Sequence, residues 1–107
     1  MSAHELDPVL HPPARLQIAA LLSSVSQAEF AKLRAVTGVS DSVLSKHLSA
    51  LADAGYVSIS KAAREGRQRT HASFTRAGRK AFAAHMAALQ ALVASAEKAG
   101  NLLDAAE

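Results

Sequence analysis

The sequence predicts a mainly α-helical (α+β) fold in which three helices, a small β-hairpin and a fourth helix follow one another. Three observations support this prediction. Residues 14–54 repeat apolar side chains at helical spacing, and the repeats are separated by residue types that cap helices. Residues 56–75 alternate apolar and polar side chains on either side of an arginine-rich loop. From residue 76 onward the helical spacing returns.

The size and composition of the chain limit the classes of protein to which it can belong. At 107 residues it has the size of one domain, and it contains no cysteine for disulfides or thiolate metal sites. No apolar run approaches the length of a membrane span, and the start MSAHELDPVL lacks the pattern of a signal peptide. We therefore expect a cytoplasmic domain over residues 14–99, preceded by a segment of residues 1–13 and followed by a tail of residues 100–107.

Capping residues and apolar spacing indicate the first two helices. A first helix is predicted from about Ala14 to Ser23, where apolar side chains recur at helical spacing. The prolines before it are tolerated in a first helical turn. Ser26 and Glu29 have the S-x-x-E spacing of a capping box, which predicts that a second helix begins here. This helix ends near Gly38, a residue suited to a left-handed cap, and its predicted inward side chains are Phe30, Leu33 and Val36.

The third helix is predicted from Asp41 to Ala54, between the N-cap Ser40 and the C-cap Gly55. Its buried side consists of Leu44, Leu48 and Leu51. The opposite side has small hydroxyls and a single charge, supplied by Ser42, Ser45, Lys46 and Ser49. Small hydroxyls let a helix backbone approach the floor of a DNA groove and bond to bases or phosphates. An ordinary solvent-exposed side usually has more Glu and Lys, so we favour a groove-facing helix.

A β-hairpin is predicted from strands at Tyr56–Lys61 and Thr70–Thr75, with Gly66 in the turn. The alternation puts Val57 and Ile59 on one face of the first strand. In the second strand it sets Ala72 and Phe74 against His71 and Ser73. Seven of the 12 basic residues, against one acid, lie in or just after this hairpin: Lys61, Arg64, Arg67, Arg69, Arg76, Arg79 and Lys80. Such a cluster indicates a surface that faces a polyanion, although a solvated charged loop would look similar.

The last helix is predicted over residues 76–99, with Thr75 as its cap and Gly100-Asn101 at its end. Its apolar side chains are spaced 4, 3, 4 and 3 residues apart: Phe82, Met86, Leu89, Val93 and Ala96. This is heptad spacing over about two heptads, fewer than a coiled coil requires. The stripe predicts that the helix packs against another helix.

The ordered set LSKHLSALADAGYV, arginine-rich loop and TRAGRKAF resembles winged helix-turn-helix transcriptional regulators of the MarR/ArsR type. The resemblance extends over roughly residues 6–95 and is closest to the short group called winged helix DNA-binding domain. It implies a homodimeric repressor that binds a roughly palindromic site on double-stranded DNA. The chain lacks the cysteine pair of the metal-sensing members, and it is shorter than full-length MarR proteins, whose extra helices shape a ligand pocket.

Residue by residue, the resemblance implies two functional surfaces. Its third helix enters the major groove and its wing, the arginine-rich hairpin, reaches a minor groove or the backbone, so the DNA-binding residues are Ser42, Ser45, Lys46, Ser49, Lys61, Arg64, Arg67 and Arg69. The first and last helices form the dimer interface, which corresponds to Leu16, Phe82, Met86, Leu89 and Val93. Arg67, beside the turn glycine, is the best candidate for a narrow minor groove. No cofactor is expected, and a small-molecule effector stays open.

Other functions have less support in the sequence. The five histidines show no metal-ligand spacing, although His11 and His85 would come close if the terminal helices packed across a dimer. No catalytic motif is present, so we expect a protein that is not an enzyme. A nucleoid-type binder with little sequence preference is one alternative, because the third helix offers no Arg, Asn or Gln for bidentate base readout. A winged-helix protein-interaction module is another, although such modules often lose the basic wing.

Overall fold

The computed structural model describes residues 5–105 and, for Arg64, the backbone alone. Within this range four helices and three strands follow one another in the order expected for the predicted α+β fold. The predicted fold class is therefore confirmed. The one addition is a two-residue strand before the second helix. The elements are α1 (Pro13–Ser23), β1 (Ala28–Glu29), α2 (Phe30–Thr37), α3 (Asp41–Asp53), β2 (Val57–Arg64), β3 (Arg67–Phe74) and α4 (Arg76–Ala105).

The hydrophobic core lies between α1, α3 and the sheet. Its fully buried large side chains include Leu10, Ile18, Leu22, Leu44 and Leu51. The three leucines predicted to line the inner side of α3 are all buried, as expected from their spacing. Leu10 precedes α1, so the segment before the first helix contributes a side chain to the core.

Strand β1 explains why the predicted capping box at Ser26 and Glu29 is wrong. The sheet order is β1-β3-β2, all antiparallel, with Glu29 opposite His71. Glu29 is the residue before α2 and has extended backbone, but its side chain makes no cap hydrogen bond. Its carboxylate instead accepts a hydrogen bond from Arg69 of β3. A partner 40 residues away in sequence has therefore replaced the local cap.

Helix α2 ends as predicted but buries fewer side chains than predicted. Gly38 has a left-handed φ of 74° and donates its N–H to the carbonyl of Arg34, which closes the helix. Leu33 is buried and Phe30 is half-buried. Val36, predicted to face inward, is 59% exposed. It lines an open groove with Leu21 and Val25.

The hairpin is longer, and its turn tighter, than the sequence indicated. β2 and β3 pair without interruption from Val57 opposite Phe74 to Arg64 opposite Arg67. The turn consists of Glu65 and Gly66 alone, with φ of 53° and 75°. Positive φ at both residues is the signature of the type I′ turn, whose twist matches that of antiparallel strands. The predicted eight-residue loop is therefore mostly strand.

Two of the predicted burial assignments in the hairpin are also wrong. Ile59, expected to face the core with Val57, is 42% exposed, because the hairpin extends past the end of the core. His71, expected on the outer face, is only 9% exposed. It lies opposite Glu29 of β1 and lines the groove between α1 and α2, which both contact β3 and bury a position that alternation alone leaves outside.

Helix α4 runs for 30 residues to Ala105, so the predicted end at Gly100-Asn101 and the frayed tail are wrong for the described residues. A single interior glycine costs about 1 kcal/mol relative to alanine, which the surrounding alanine and leucine residues can offset. Residues 106–107 of the predicted tail, and residues 1–4 of the predicted N-terminal segment, lie outside the described range. No helix between residues 5 and 105, α4 included, is long and apolar enough to cross a membrane.

The start of α4 lies directly on the end of α3 and the start of β2. Thr75 caps the helix as predicted, since its Oγ1 accepts the N–H of Gly78 at 3.0 Å. The Thr75 hydroxyl also donates to the carbonyl of Gly55 at 2.6 Å, and the Thr75 N–H donates to the carbonyl of Tyr56 at 2.9 Å. A Cβ at position 78 would lie 2.1 Å from that Tyr56 oxygen, which explains the glycine.

We predict opposite effects for alanine at the two glycines of α4. Gly78→Ala should lower the free energy of unfolding by roughly 1–3 kcal/mol, because the new Cβ meets backbone that must shift. Gly100→Ala meets no atom within 4 Å and should raise it by about 0.5–1 kcal/mol, because alanine is the better helix former. Urea unfolding of both variants measures the two signs, and equal effects would contradict the close approach at Gly78.

Candidate nucleic-acid interface

Helix α3 presents the four predicted DNA-binding side chains together on its open side. Ser42, Ser45, Lys46 and Ser49 are all exposed, opposite the three buried leucines. The helix begins at a defined position, because the Oγ of Ser40 accepts the N–H of Val43 at 3.3 Å. The helix packs on the core through its leucines, and the side that it leaves exposed is short and rich in hydroxyl groups.

The first turn of α3 carries a charge pair that the sequence analysis missed. The Asp41 carboxylate accepts a hydrogen bond from Nη1 of Arg34 at 2.8 Å. Both side chains are solvent-exposed, so the pair contributes little to stability. Its effect is electrostatic. The N-terminus of a helix favours an anion, and the carboxylate of Asp41 would repel one there. Arg34 reduces this repulsion, because it partly cancels the negative charge of Asp41. The two residues are seven positions apart and lie on different helices, so no local sequence rule pairs them.

A groove between α3 and the hairpin joins residues that were predicted separately. Ser45 and Ser49 of α3 lie on one wall and Lys61 of β2 on the other. The groove holds about 410 Å³, and its remaining lining residues are Phe30, Leu48, Ile59 and Thr70. Thr70 pairs with Lys61 across the hairpin, so both side chains project from the face that meets α3. Phe30, Ile59 and Thr70 were not among the predicted contacts, although strand alternation puts Ile59 on the same face as Lys61.

The wing has its basic residues on two faces. Lys61 projects from the face that meets α3, whereas Arg67 and Arg69 alternate onto the other face of the hairpin. Arg67 is exposed at the first position after the turn. Arg64 is opposite Arg67 in the register, so the backbones of these two predicted contacts lie side by side at the tip.

Arg69 differs from the other predicted contacts because it already has an acidic partner. It is half-buried and donates to the carboxylate of Glu29, which ties β3 to β1. That hydrogen bond, opposed by partial burial and assisted by the charge of Arg69, lowers the pKa of Glu29 below its usual value. Glu29 is therefore ionised, and its negative charge neutralises part of the positive charge of Arg69.

Arg79 belongs to the basic cluster of the sequence, but its guanidinium also has partners within the protein. Its guanidinium donates to the carbonyls of Ser23 and Val25 at 3.3 and 3.0 Å and lies 5.9 Å from the centre of the Phe74 ring. Arg79 thus ties α4 to the segment between α1 and β1. Of the predicted DNA contacts, Lys46, Lys61 and Arg67 are exposed and can offer their charge to a polyanion.

Three of the histidines have neighbours within one chain that the structure describes. No group of three possible metal ligands occurs among the described residues. His47 is half-buried against α1, where its Nδ1 accepts from Nε of Arg15 at 3.4 Å. Burial, then the charges of Arg15 and Lys46, lower the pKa of His47. His11 and His85 do come close, at 5.4 Å between ring centres, but inside a single chain.

The residues predicted for the dimer interface are only partly available on the surface. Phe82 is half-buried against the core, 6.1 Å from the Phe74 ring between ring centres. Leu16, Met86 and Leu89 are half-buried, and Val93 is 55% exposed. Further along α4, Leu92, Leu102 and Leu103 are 56%, 67% and 71% exposed. The accessible apolar surface therefore lies farther toward the C-terminal end of α4 than predicted.

Comparison with solved structures finds the same fold in several proteins. A transcriptional regulator homologue from Pyrococcus horikoshii OT3 is 25% identical, with a TM-score of 0.77 over 81% of this chain and 86% of that one. YusO from Bacillus subtilis is 19% identical, with a TM-score of 0.69 over 88% and 68%. A mutant of ZitR from Lactococcus lactis is 19% identical, with a TM-score of 0.63 over 84% and 60%. A search of curated proteins gave no significant match.

A family model supplies the closer classification. The model described as a winged helix DNA-binding domain matches residues 14–93, from the first residues of α1 into the second half of α4. The match includes α3, the hairpin and the Thr75–Gly78 junction, which are the parts that carried the resemblance in the sequence. The predicted resemblance to short MarR-like regulators is confirmed, and the chain belongs to the winged helix DNA-binding domain family.

Proposed function

We propose that this protein is a homodimeric, sequence-specific regulator of transcription that acts as a repressor in the cytoplasm and is not an enzyme. The observation that carries the proposal is the groove where Ser45 and Ser49 of α3 face Lys61 of the hairpin. A helix that presents short polar side chains beside a basic hairpin suits a DNA duplex, whose groove floor accepts the helix and whose phosphates accept the charge.

In this proposal α3 enters the major groove. Its serines can donate to or accept from base edges and phosphates, and the exposed Lys46 can donate to the O6 and N7 acceptors of guanine. Lys61 and Thr70, on the opposite wall of the groove, would then meet the phosphate backbone beside the helix. The arrangement supports readout by a few contacts from α3, with the hairpin holding the duplex in register.

The wing supplies charge and reach. Its eight-residue strands extend beyond the core, and the tight turn leaves Arg67 exposed near the tip. An arginine there can displace condensed counterions from phosphates or enter a narrow minor groove, where the negative potential is enhanced. Arg69 contributes less, because Glu29 already neutralises part of its charge.

Dimerisation is proposed through α4. The heptad spacing that begins at Phe82 continues through Gly100 and Leu103, because the helix does not stop at residue 99. The stripe thus extends over three heptads, the lower limit for a coiled-coil seam. Since Phe82 packs on its own core, the proposed interface is centred on Met86, Leu89 and Val93 and continues to Leu103. Leu16 of α1 would lie at its edge.

A second candidate is a nucleoid-type binder with little sequence preference. The observation in its favour is that the exposed side of α3 has no Arg, Asn or Gln, the side chains that most often discriminate bases. Both candidates predict DNA binding, and they differ in the ratio of specific to non-specific affinity.

The test of the proposed function is selection of bound sequences from a random duplex pool at near-physiological salt. We expect a palindrome whose half-sites lie about one helical turn, roughly 10 base pairs, apart. Retained DNA without an enriched motif would support the nucleoid-type binder. No retained DNA would contradict both candidates and favour a protein-interaction module.

We predict that Arg67→Ala weakens DNA binding and flattens its salt dependence. Loss of one phosphate contact should reduce the slope of log K against log salt by about 1. The matched control is Lys98→Ala, which removes an exposed charge from α4, far along the chain from the wing. Fluorescence anisotropy at several salt concentrations measures both slopes, and equal slopes in the two variants would remove Arg67 from the contact set.

We predict that Val93→Glu converts the protein from a dimer to a monomer. Val93 is 55% exposed in the single chain, so the substitution leaves the protomer core intact while putting a charge in the proposed seam. Ala94→Glu adds the same charge to the neighbouring exposed position and should leave the dimer unchanged. Sedimentation equilibrium distinguishes the two, and a dimeric Val93→Glu variant would contradict the proposed interface.

A further inference from the structure

The segment before α1 is fastened to α4 through a buried histidine. His85 is 1% exposed, and its Nδ1 accepts the backbone N–H of Asp7 at 2.9 Å. A ring nitrogen can accept this bond only if it carries no proton, so the ring is the neutral tautomer with its hydrogen on Nε2. That assignment also prevents Nε2 from acting as a metal ligand while the bond to Asp7 is made.

The surroundings of the second ring nitrogen, Nε2, make it unfavourable for His85 to carry a positive charge. Nε2 is buried and makes no hydrogen bond within the described part of the chain. Protonation would add a hydrogen to Nδ1, which would then oppose the N–H of Asp7. Among the residues that the structure describes, neither N–H of the buried imidazolium would have an acceptor, an arrangement that is costly in a dry interior.

The groups around His85 favour its neutral form. Burial, followed by the nearby ring of His11, lowers the pKa of His85, and the carboxylate of Asp7 offsets only part of this effect. That carboxylate is engaged elsewhere, because it accepts the Tyr56 hydroxyl at 2.6 Å and the N–H of Val9 at 2.8 Å. The bond to Asp7 raises the pKa of Tyr56 to about 12, so the phenol keeps its proton.

The same segment carries a core side chain. Leu10 is fully buried, and its N–H and that of His11 donate to the carbonyl of Asp7 at 3.1 and 2.9 Å. On the α1 side, Nη1 of Arg15 donates to the carbonyl of Val9 at 3.2 Å, which places a permanent positive charge beside the segment. Release of the segment from α4 would therefore expose Leu10.

We propose that His85 is a proton-controlled latch that holds residues 7–11 on α4 while it is neutral and releases them when it is protonated. When the segment is released, His85 regains its ordinary pKa of about 6.5, so the open form binds more protons than the closed form. The closed form is accordingly fully stable above that pH and loses stability as the pH falls below it. The latch does not depend on the proposed DNA binding.

The experiment is amide hydrogen exchange by NMR on the full chain between pH 7.5 and 5, expressed as protection factors so that intrinsic exchange chemistry cancels. We expect protection at Leu10 and His11 to fall about tenfold over this range, since each bound proton changes the equilibrium by up to tenfold per pH unit. Protection at Leu48 in α3 should stay constant. Constant protection at Leu10 and His11 would overturn the proposal.

Three variants separate the latch from general acid sensitivity. His85→Gln keeps an acceptor for the Asp7 N–H but cannot titrate, so protection at Leu10 should become independent of pH. His11→Gln removes the neighbouring charge, so the pKa of His85 in the closed form should be less depressed and the loss of protection below pH 6.5 should be smaller. His71→Gln, which alters the buried histidine of β3, should leave the loss of protection as it is in the unmodified protein. A loss of protection that persists in His85→Gln would overturn the proposal.

Direct titration of His85 in the unmodified protein serves if His85→Gln does not fold. The Cε1 proton of the ring reports its charge, and we expect its midpoint to coincide with loss of the Asp7 amide signal of the closed form. A ring that titrates without any change at the Asp7 amide would also overturn the latch.

Discussion

The close approach between Tyr56 and Gly78 is the constraint on which the rest of the structure depends. At this point the end of α3, the start of β2 and the first turn of α4 meet, joined by the hydrogen bonds that Thr75 makes to Gly55 and Tyr56. No side chain larger than hydrogen fits at position 78 without moving backbone. The candidate recognition helix, the wing and the proposed dimer helix are thereby held in one fixed relation. In a symmetric dimer that relation would set the separation of the two recognition helices.

The parts of the fold that sequence reasoning predicted correctly depend on neighbours close along the chain. Ser40, Gly38 and Thr75 cap helices by bonds within a few residues, and the leucines of α3 follow a simple period. The failures come from distant partners. Glu29 matches a local capping box, but its neighbour in space is Arg69, and β1 is too short to show an alternation. No local pattern records such a partner.

The candidate site shows the same division between local and distant effects. Helical spacing was sufficient to group the serines of α3 on one side, and strand alternation could have added Ile59 and Thr70 to the groove. A count of basic residues overstated the free charge, because Arg69 and Arg79 are bound to a carboxylate and to backbone carbonyls. An arginine whose partners come from elsewhere in the chain cannot be distinguished by sequence from one that faces solvent.

The serine-rich side of α3 has a consequence for hydration. Serine is short, so a helix of this kind cannot fill the width of a major groove with its own atoms. In the proposed complex the remaining space would be occupied by ordered water that bridges hydroxyls and base edges, as happens widely in protein–DNA interfaces. Discrimination between bases would then depend on hydrogen bonds through these waters as much as on direct contacts from the side chains. Affinity would accordingly respond to water activity, and osmolytes excluded from the interface would change it.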